Sequence, residues 1–556
     1  MTTAFQISDD LVADSCAQDP VLATQLGIPG SDHEWGDGFG LDGVAQGMEL
    51  VARYRRLIEP HLESHDPGER LAARVMVGEF DQQRVGHDNG DHFRTLRHMA
   101  SPFHRIRLTF DVMRADSPDA REDIVARLTT VSQPLGDYRR LLEAGVEAGI
   151  VSSRRQVESV IEQARRLSSD PASIDAIVSR ASGGGDISPA LAEAAERARG
   201  AYGDFAEWLK ARYLPVAPED DGVESDVYLR SANRLVGLDV DPDGAYSWAW
   251  GEFGRLLAEV ERVAESILPD GGVDAAKEFL ETDPSVTASD TAELISFVER
   301  TLAEAVDDLS RSHFEVPDEI RPLTVQLAPP GSPLGVYYSP PSEDFSRPGG
   351  IWYSVGDQDV FPLYQHVSTA YHEGFPGHHL QNATAMYRRD RISRFQRVLT
   401  WCPGYGEGWG MYAEVLMGEL GYLENPQYYF GMLAKQMYRV ARVVVDIGLH
   451  LGMRVDERSP LFAGEEWDFD KAVEFMRVYG FRTPAQARDE VLRYLGWPGQ
   501  AISYKLGERE ILSIRAEARE RLGDGFDLRA FHSVVIDNGE MRLDLLRDVV
   551  RERLNG

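Results

Sequence analysis

Apolar residues recur every three to four positions along most of the chain, which is the spacing of amphipathic helices. This pattern covers the ranges 7–28, 41–63, 68–86, 100–115, 119–132, 134–147, 152–168, 188–212, 243–267, 273–280 and 288–313. The pair Ser188-Pro189 is a typical helix start, because serine caps the helix and proline fits its first turn. Helical spacing returns after residue 361. The pattern predicts a mainly α protein.

The pattern changes near residue 320, where three short segments have the character of strands. Residues 321–328 alternate between apolar and polar side chains, and residues 335–339 and 350–354 are aromatic runs bounded by glycine and proline. These strands come directly before a segment rich in histidine. Farther upstream, residues 215–226 form an acidic connector that contains prolines. It is either a domain boundary or a surface loop.

The histidine-rich segment has the sequence Tyr371-His-Glu-Gly-Phe-Pro-Gly-His-His-Leu-Gln381, with three of the chain's 14 histidines beside a glutamate. A zinc hydrolase needs two imidazoles that share one ion, a third ligand and a carboxylate near the bound water. The helical motif His-Glu-x-x-His meets this need, because positions i and i+4 share one face. The segment therefore suggests a metal site.

The spacing departs from that motif, since His372 and His378 are six positions apart. On a straight helix position i+6 differs in direction by about 240°, and position i+7 lies about 10 Å farther along the axis. Neither His378 nor His379 could then share an ion with His372. Pro376 and the neighbouring glycines argue against a straight helix.

A bulge at Phe375-Pro376 would restore the register of the motif. His372 and His378 are then the metal ligands, and Glu373 is the general base. His379 is the alternative second ligand. If His379 is not a ligand, it is expected to lie behind the ligands or to face the substrate. The same is expected of Gln381.

A third ligand is expected from a second helix at residues 404–414, which are rich in glycine and aromatic residues. Glu407 follows His378 by 29 residues, enough for one helix and a turn to bring the chain back. Its glycine neighbours allow close backbone approach. We expect Glu407 as the third ligand. Glu414, two turns later on the same face, is expected to support a ligand by a hydrogen bond.

Amide hydrolysis also needs a donor that stabilises the tetrahedral oxyanion. Tyr504 and His450 are the two candidates. Arg442, Asp446 and His450 follow one another at intervals of four, so Asp446 could orient the imidazole. An ordinary salt bridge between Arg442 and Asp446, and a core role for Tyr504, are the alternatives.

Several segments together resemble a large bacterial family catalogued as domain of unknown function 885. Besides the histidine-rich segment and Glu407–Glu414, they are Asp19–Thr24, Arg442–His450, Pro498–Gly507 and Phe526–His532. That family is distantly similar to helical zinc peptidases of the gluzincin type, such as thermostable carboxypeptidases and oligopeptidases. Those peptidases take a glutamate of a second helix as third ligand, with another glutamate seven positions later. Glu407 and Glu414 repeat that spacing.

The resemblance implies a mainly α, two-lobed helical body like that of metallopeptidases. It also implies a deep cleft and a small antiparallel β-sheet next to the zinc helix. We assign residues 1–315 to a mostly helical N-terminal lobe and residues 316–556 to the catalytic metal-binding lobe of one integrated unit.

The expected function is hydrolysis of peptide bonds in short peptides, with one zinc ion as cofactor and Glu373 as general base. A zinc hydrolase of a non-peptide amide or ester would use the same residues. A binding protein that keeps the fold without catalysis predicts loss of the base or of a ligand. Here Glu373, both histidines and Glu407 are all present.

Composition limits the binding partners and the cellular compartment that we expect. The formal net charge of −33 repels nucleic acid and anionic lipid, so neither is an expected partner. Two cysteines, Cys16 and Cys402, favour a reducing compartment. The N-terminus lacks the features of a secretion signal, and no apolar run is long enough to span a membrane. We expect a cytoplasmic protein.

Overall fold

The computed structural model describes residues 2–328 and 335–554, and α-helices make up most of it. The chain forms two units. The first comprises residues up to Gly222, together with Ser393–Leu399 and Leu495–Trp497, and the second comprises the rest. The division falls inside the acidic connector at 215–226 and differs from the expected boundary at residue 315.

The first unit is built from helices around one apolar core. Its helices are α1 (Ala4–Gln18), α2 (Pro20–Gln25), α3 (Leu41–Ile58), α4 (Pro67–Asp88), α5 (Pro102–Val112), α6 (Pro118–Thr130), α7 (Ser132–Glu147), α8 (Arg154–Ser169), α9 (Pro171–Ser182) and α10 (Pro189–Trp208). The predicted start of α10 is confirmed, because Ser188 accepts a hydrogen bond from the backbone N–H of Leu191. Large aromatic side chains such as Tyr138 and Tyr202 are fully buried in this core.

The second unit contains the histidine-rich segment. Its helices are α11 (Ser225–Val236), α12 (Pro242–Ile267), α13 (Gly272–Thr282), α14 (Thr291–Ser312), α15 (Tyr364–Glu373), α16 (His378–Tyr387), α18 (Pro403–Glu419), α19 (Pro426–Leu451), α20 (Phe469–Tyr479), most of α21 (Pro484–Gly496), α22 (Ser503–Leu522), α23 (Leu528–Ile536) and α24 (Leu543–Arg553); α17 (Arg394–Val398) belongs to the first unit. The helix α12 packs along α19, and α14 packs on α15. Residues 223–315 therefore share a core with the histidine helices, which is why the division lies before them.

Short strands lie beside α15 and α16. They are β1 (Thr287–Ala288), β2 (Leu323–Leu327), β3 (Gly335–Ser339), β4 (Gly349–Ser354) and β5 (Phe361–Pro362). The three predicted strands are confirmed as β2, β3 and β4 in chain order. They form one sheet in which β4 lies between β2 and β3. β3 pairs with β4 antiparallel, as expected, whereas β2 pairs with β4 in parallel. Gly349 of β4 lies against the ring of His379 on α16.

In the part of the chain that the structure describes, no helix combines the length and the apolar character needed to cross a membrane.

Candidate metal centre

The two histidines of the predicted motif lie on separate helices. α15 ends at Glu373 and α16 begins at His378, so residues 374–377 form a tight connection and not a bulge within one helix. The Phe375–Pro376 peptide bond in this connection is cis. A Cβ at Gly377 would overlap the last carbonyl groups of α15, so only glycine fits there. The predicted distortion is therefore present as a change of helix.

This change of helix brings three candidate ligands together. One donor atom from each of His372, His378 and Glu407 lies within 4.8 Å of the other two. Nε2 of His372 is 3.3 Å from Oε2 of Glu407, and Nε2 of His378 is 3.5 Å from the same oxygen. The two imidazole rings are nearly perpendicular, with their centroids 4.7 Å apart. Both rings thus direct Nε2 toward one carboxylate oxygen.

Glycines on α18 allow this close approach. A Cβ at Gly408 would lie 2.6 Å from the carbonyl carbon of Gly507, so α18 and α22 meet there without side chains between them. A Cβ at Gly410 would lie 2.6 Å from Cε1 and 2.8 Å from Nε2 of His372. The imidazole of His372 therefore lies directly against the backbone of α18, next to Glu407.

Glu414 holds His372 from the opposite side. Its Oε1 lies 2.8 Å from Nδ1 of His372, and its other oxygen accepts a hydrogen bond from the hydroxyl of Ser368. All three side chains are buried. A carboxylate on Nδ1 keeps the proton there and leaves Nε2 for a metal, which is how many metal-binding histidines are oriented.

The charges of the site are strongly coupled. Burial lowers the pKa of His372, but hydrogen bonds to Glu407 and Glu414 outweigh it and raise the pKa to about 10. Burial raises the pKa of Glu407, yet hydrogen bonds with His372 and His378 hold it well below the ordinary range. For Glu373, burial dominates and raises the pKa. These shifts favour the ionised form of Glu407 and the protonated form of His372.

The donor set fits a catalytic zinc site. Two imidazole nitrogens and one carboxylate oxygen are a common protein ligand set for catalytic zinc, which keeps a further position for water. His378 and Glu407 are partly exposed, at 15% and 26% of their side-chain surface, while His372 is buried at 5%. The cluster can therefore be reached from solvent. Glu373, next to His372 in the chain, is half-buried.

His379 lies outside this cluster. Its Nε2 is 2.7 Å from the carbonyl oxygen of Ile320, and its Nδ1 is 3.0 Å from the hydroxyl of Tyr338. Both ring nitrogens are therefore used in anchoring α16 to the β-sheet region. Gln381 is also buried on α16, beside the hydroxyl of Tyr405. Of the two candidate second ligands, the structure brings only His378 to Glu407.

Tyr504 lies on the first turn of α22, close to the cluster. Its ring centroid is 4.3 Å from Cζ of Arg439 and 4.9 Å from Cζ of Arg442. Its hydroxyl is 3.4 Å from Nη2 of Arg493. Burial raises the pKa of Tyr504, and the negative charge of Glu407 adds to the shift. The hydroxyl therefore stays protonated at neutral pH.

His450 is not brought to the cluster. It lies eleven residues beyond Arg439 on α19, which corresponds to about 16 Å along the helix axis. Its Nε2 is 3.0 Å from the carbonyl oxygen of Tyr494, and its ring packs on Tyr228. Asp446 lies beside His450, as its spacing suggested, but no hydrogen bond between the two is among those described. Asp446 accepts a hydrogen bond from the hydroxyl of Tyr228 instead, and its nearest oxygen is 4.0 Å from Nε2 of His450.

The alternative, an ordinary salt bridge between Arg442 and Asp446, is not formed, because Arg442 pairs with Glu490. Nη2 of Arg442 is 2.9 Å from a carboxylate oxygen of Glu490 and also contacts the hydroxyl of Tyr438. An i,i+4 spacing permits an ion pair on an isolated helix. A buried guanidinium instead pairs with a carboxylate that tertiary packing places beside it, which here is Glu490. Burial raises the pKa of Asp446 to about 7.

Sequence reasoning missed two residues that position His372 and its partner Glu414, and a group of basic and aromatic residues farther along. They are Ser368, Gly410, Lys435, Tyr438, Arg439 and Arg482. A signal for two of them was present: Lys435 and Arg439 are basic residues four positions apart in a helix that is mostly apolar. Ser368 has a similar signal, since it lies one turn before His372 on α15.

A family model described as "Bacterial protein of unknown function (DUF885)" matches residues 20–550. A solved structure of a "putative lipoprotein" from Colwellia psychrerythraea has a TM-score of 0.85 at 22% identity and covers 99% of both chains. One of a "putative lipoprotein of unknown function" from Shewanella oneidensis has a TM-score of 0.74 at 16% identity, over 99% of this chain and 100% of that one. At these identities the similarity concerns the fold. No curated protein matches the sequence.

Proposed function

The chain belongs to the bacterial DUF885 family, and from the site that it carries we propose that it is a zinc-dependent hydrolase of amide bonds in short peptides. The observation that carries the proposal is the convergence of His372, His378 and Glu407 within 4.8 Å, with Glu373 next to the first of them. Two imidazoles, one carboxylate and a neighbouring second carboxylate are the parts that metal-assisted hydrolysis requires.

Each residue of the site would have a separate role in the reaction. His372, His378 and Glu407 hold the ion, which when bound polarises the substrate carbonyl and makes a water molecule more acidic. Glu373 takes a proton from the attacking water, whose oxygen forms the new bond to the carbonyl carbon. The bond from that carbon to nitrogen then breaks, and Glu373 passes the proton to the leaving nitrogen.

Tyr504 is the proposed donor to the oxyanion. It is buried near Glu407, and its raised pKa keeps the hydroxyl protonated so that it can donate. His450 has no part in this proposal, because its Nε2 is engaged with the carbonyl of Tyr494. A cleft like that of two-lobed metallopeptidases is part of the proposal.

A cytoplasmic location also belongs to the proposal. Cys16 and Cys402 are not joined by a disulfide. Fractionation of cells that produce the natural protein tests this point, and recovery with the membrane or from outside the cytoplasm would contradict it.

The test combines metal analysis with a peptide digest. The purified protein should contain about one zinc ion per chain, and a mixed peptide library should yield new fragments by mass spectrometry. The variant Glu373→Gln should keep zinc but lose at least about a hundredfold in rate. The variant Glu419→Gln is the matched control, since Glu419 lies at the far end of α18 and pairs with Arg515.

Two results would contradict the proposal in different ways. Full activity of Glu373→Gln would remove the assigned base. A zinc-loaded protein that leaves every peptide intact would exclude peptides as substrates and favour a non-peptide amide or ester.

A further inference from the structure

Basic residues form a stripe on α19 beside the metal cluster. Lys435, Arg439 and Arg442 are spaced at i, i+4 and i+7, which puts their side chains on one side of the helix. Arg482, in the connection between α20 and α21, joins them. The chain as a whole has a formal net charge of −33, so this concentration of cations is a local feature of the helix.

The ring of Tyr438 is the centre of this group. Cζ of Arg482 lies 3.7 Å from the ring centroid, that of Arg442 4.2 Å and that of Arg439 4.8 Å. Arg439 also stacks on the ring of Tyr504. Contacts of this kind hold a guanidinium group in position while they leave its N–H groups available to a ligand.

The arginines differ in their ion pairs. Arg442 is buried and pairs with Glu490 at 2.9 Å. Arg439 and Arg482 are half-buried, and neither forms an ion pair with any residue that the structure describes. Within the same described ranges, the Nε atoms of both are buried without a hydrogen-bond partner. Buried donors of a charged group cost free energy when nothing accepts from them.

The helix that carries Arg439 packs on the helix that carries the proposed catalytic base. α19 packs on α15, where a Cβ at Gly431 would overlap the carbonyl oxygen of Tyr364. Cζ of Arg439 lies 4.3 Å from the ring centroid of Tyr504, the proposed donor to the oxyanion. Burial lowers the pKa of Lys435 to about 8, and the charges of Arg482 and Arg439 add to it. Arg439 therefore lies beside a residue of the proposed site.

We infer that Arg439 and Arg482 form an anion subsite that binds a carboxylate of the substrate close to the bond that is cleaved. This inference rests on the proposed function and names its substrate class, peptides that carry a negative charge beside the scissile bond. Guanidinium groups bind carboxylates through paired, charged hydrogen bonds, and the two arginines supply such donors. A C-terminal carboxylate and an acidic side chain both have the required chemistry.

A binding measurement tests the subsite without turnover. The probes are alkyl hydroxamates, which chelate zinc, prepared as pairs of equal length that end in either a methyl group or a carboxylate. Over a short series of chain lengths on the zinc-loaded protein, the best carboxylate probe should bind roughly 10- to 100-fold more tightly than its neutral partner. In the double variant Arg439→Gln/Arg482→Gln this preference should disappear, while the neutral probe binds as before.

The neutral probe also reports whether the double variant still folds and holds zinc. The control is Arg509→Gln, which removes an exposed arginine of α22 that stacks on Trp248 at 4.7 Å. This variant should keep the full preference. Equal binding of both probes to the unaltered protein at every length would overturn the inference, as would a preference that survives in the double variant.

Matched peptides identify the source of the carboxylate. One has a free C-terminus, a second is its C-terminal amide, and a third is the amide with an aspartate beside the bond. The source is whichever carboxylate lowers KM in the unaltered protein but not in the double variant. If peptides are cleaved but the hydroxamates show no preference, the subsite is wrong and the hydrolase stands. If the preference is present but no peptide is cleaved, the subsite stands and the peptidase function is wrong.

Discussion

Glu414 lies 2.8 Å from Nδ1 of His372 and thereby fixes which nitrogen of the imidazole faces Glu407. Both side chains are buried, so the bond is protected from water. We expect Glu414→Gln to weaken zinc binding roughly 10- to 100-fold, as loss of a carboxylate behind a metal-binding histidine commonly does. Competition with a chromophoric chelator measures the affinity. Glu419→Gln, on the same helix but at the surface, should leave the affinity unchanged, and an equal loss in both variants would refute the specific role of Glu414.

Gly410 leaves the space in which the ring of His372 lies. In Gly410→Ala the new Cβ would be 2.6 to 2.9 Å from three ring atoms, so the imidazole must move and zinc affinity should fall at least about tenfold. A Cβ at Gly406, one turn earlier on α18, would meet no atom of another element within 4 Å. Gly406→Ala should therefore bind zinc normally and gain up to about 1 kcal/mol in stability. Affinity that is unchanged in Gly410→Ala would mean that the ring has room elsewhere.

His378 and His379 should respond in opposite ways to substitution. His378→Gln removes a proposed ligand that is partly exposed, so zinc should be lost, while the Tm of the protein stripped of zinc should change little. His379→Gln breaks bonds to Ile320 and Tyr338, so it should cost about 1–3 kcal/mol of stability but retain zinc. Zinc content and thermal unfolding of both variants measure this contrast. Loss of zinc from His379→Gln alone would reverse the ligand assignment.

Zinc binding should release protons. The pKa of His372 in the metal-free protein is raised to about 10, so at pH 8 this imidazole carries a proton that the metal must displace. Glu407 is already ionised and releases none. We expect about one proton from His372 per zinc, and an affinity that rises with pH below 10. Calorimetry in two buffers of different ionisation enthalpy measures the release, and a value of zero would show that His372 is neutral before zinc binds.

The helix break at the site was predictable from local sequence. A proline and two glycines between the histidines rule out one straight helix, and the structure separates α15 from α16 at that point. The spacing of Glu407 and Glu414 likewise places both on one face of α18, opposite His372. These features depend on residues close in the chain, so periodicity and backbone preferences were sufficient to find them.

Features that depend on distant contacts were not predictable in this way. The carbonyl that engages His379 belongs to Ile320, 59 positions earlier. The partner of Arg442 is Glu490, 48 positions later, and not the aspartate one helical turn away. The division at Gly222 follows from the packing of α12 along α19, which no local pattern contains. Tertiary packing decided among options that the sequence left open.

The central claim is that His372, His378 and Glu407 bind one zinc ion. Anomalous X-ray diffraction from zinc-loaded crystals, recorded on both sides of the zinc absorption edge, tests it most directly. The account predicts one strong peak about 2.0–2.2 Å from Nε2 of both histidines and from a carboxylate oxygen of Glu407. A zinc peak elsewhere in the chain, or none between these three side chains, would contradict it.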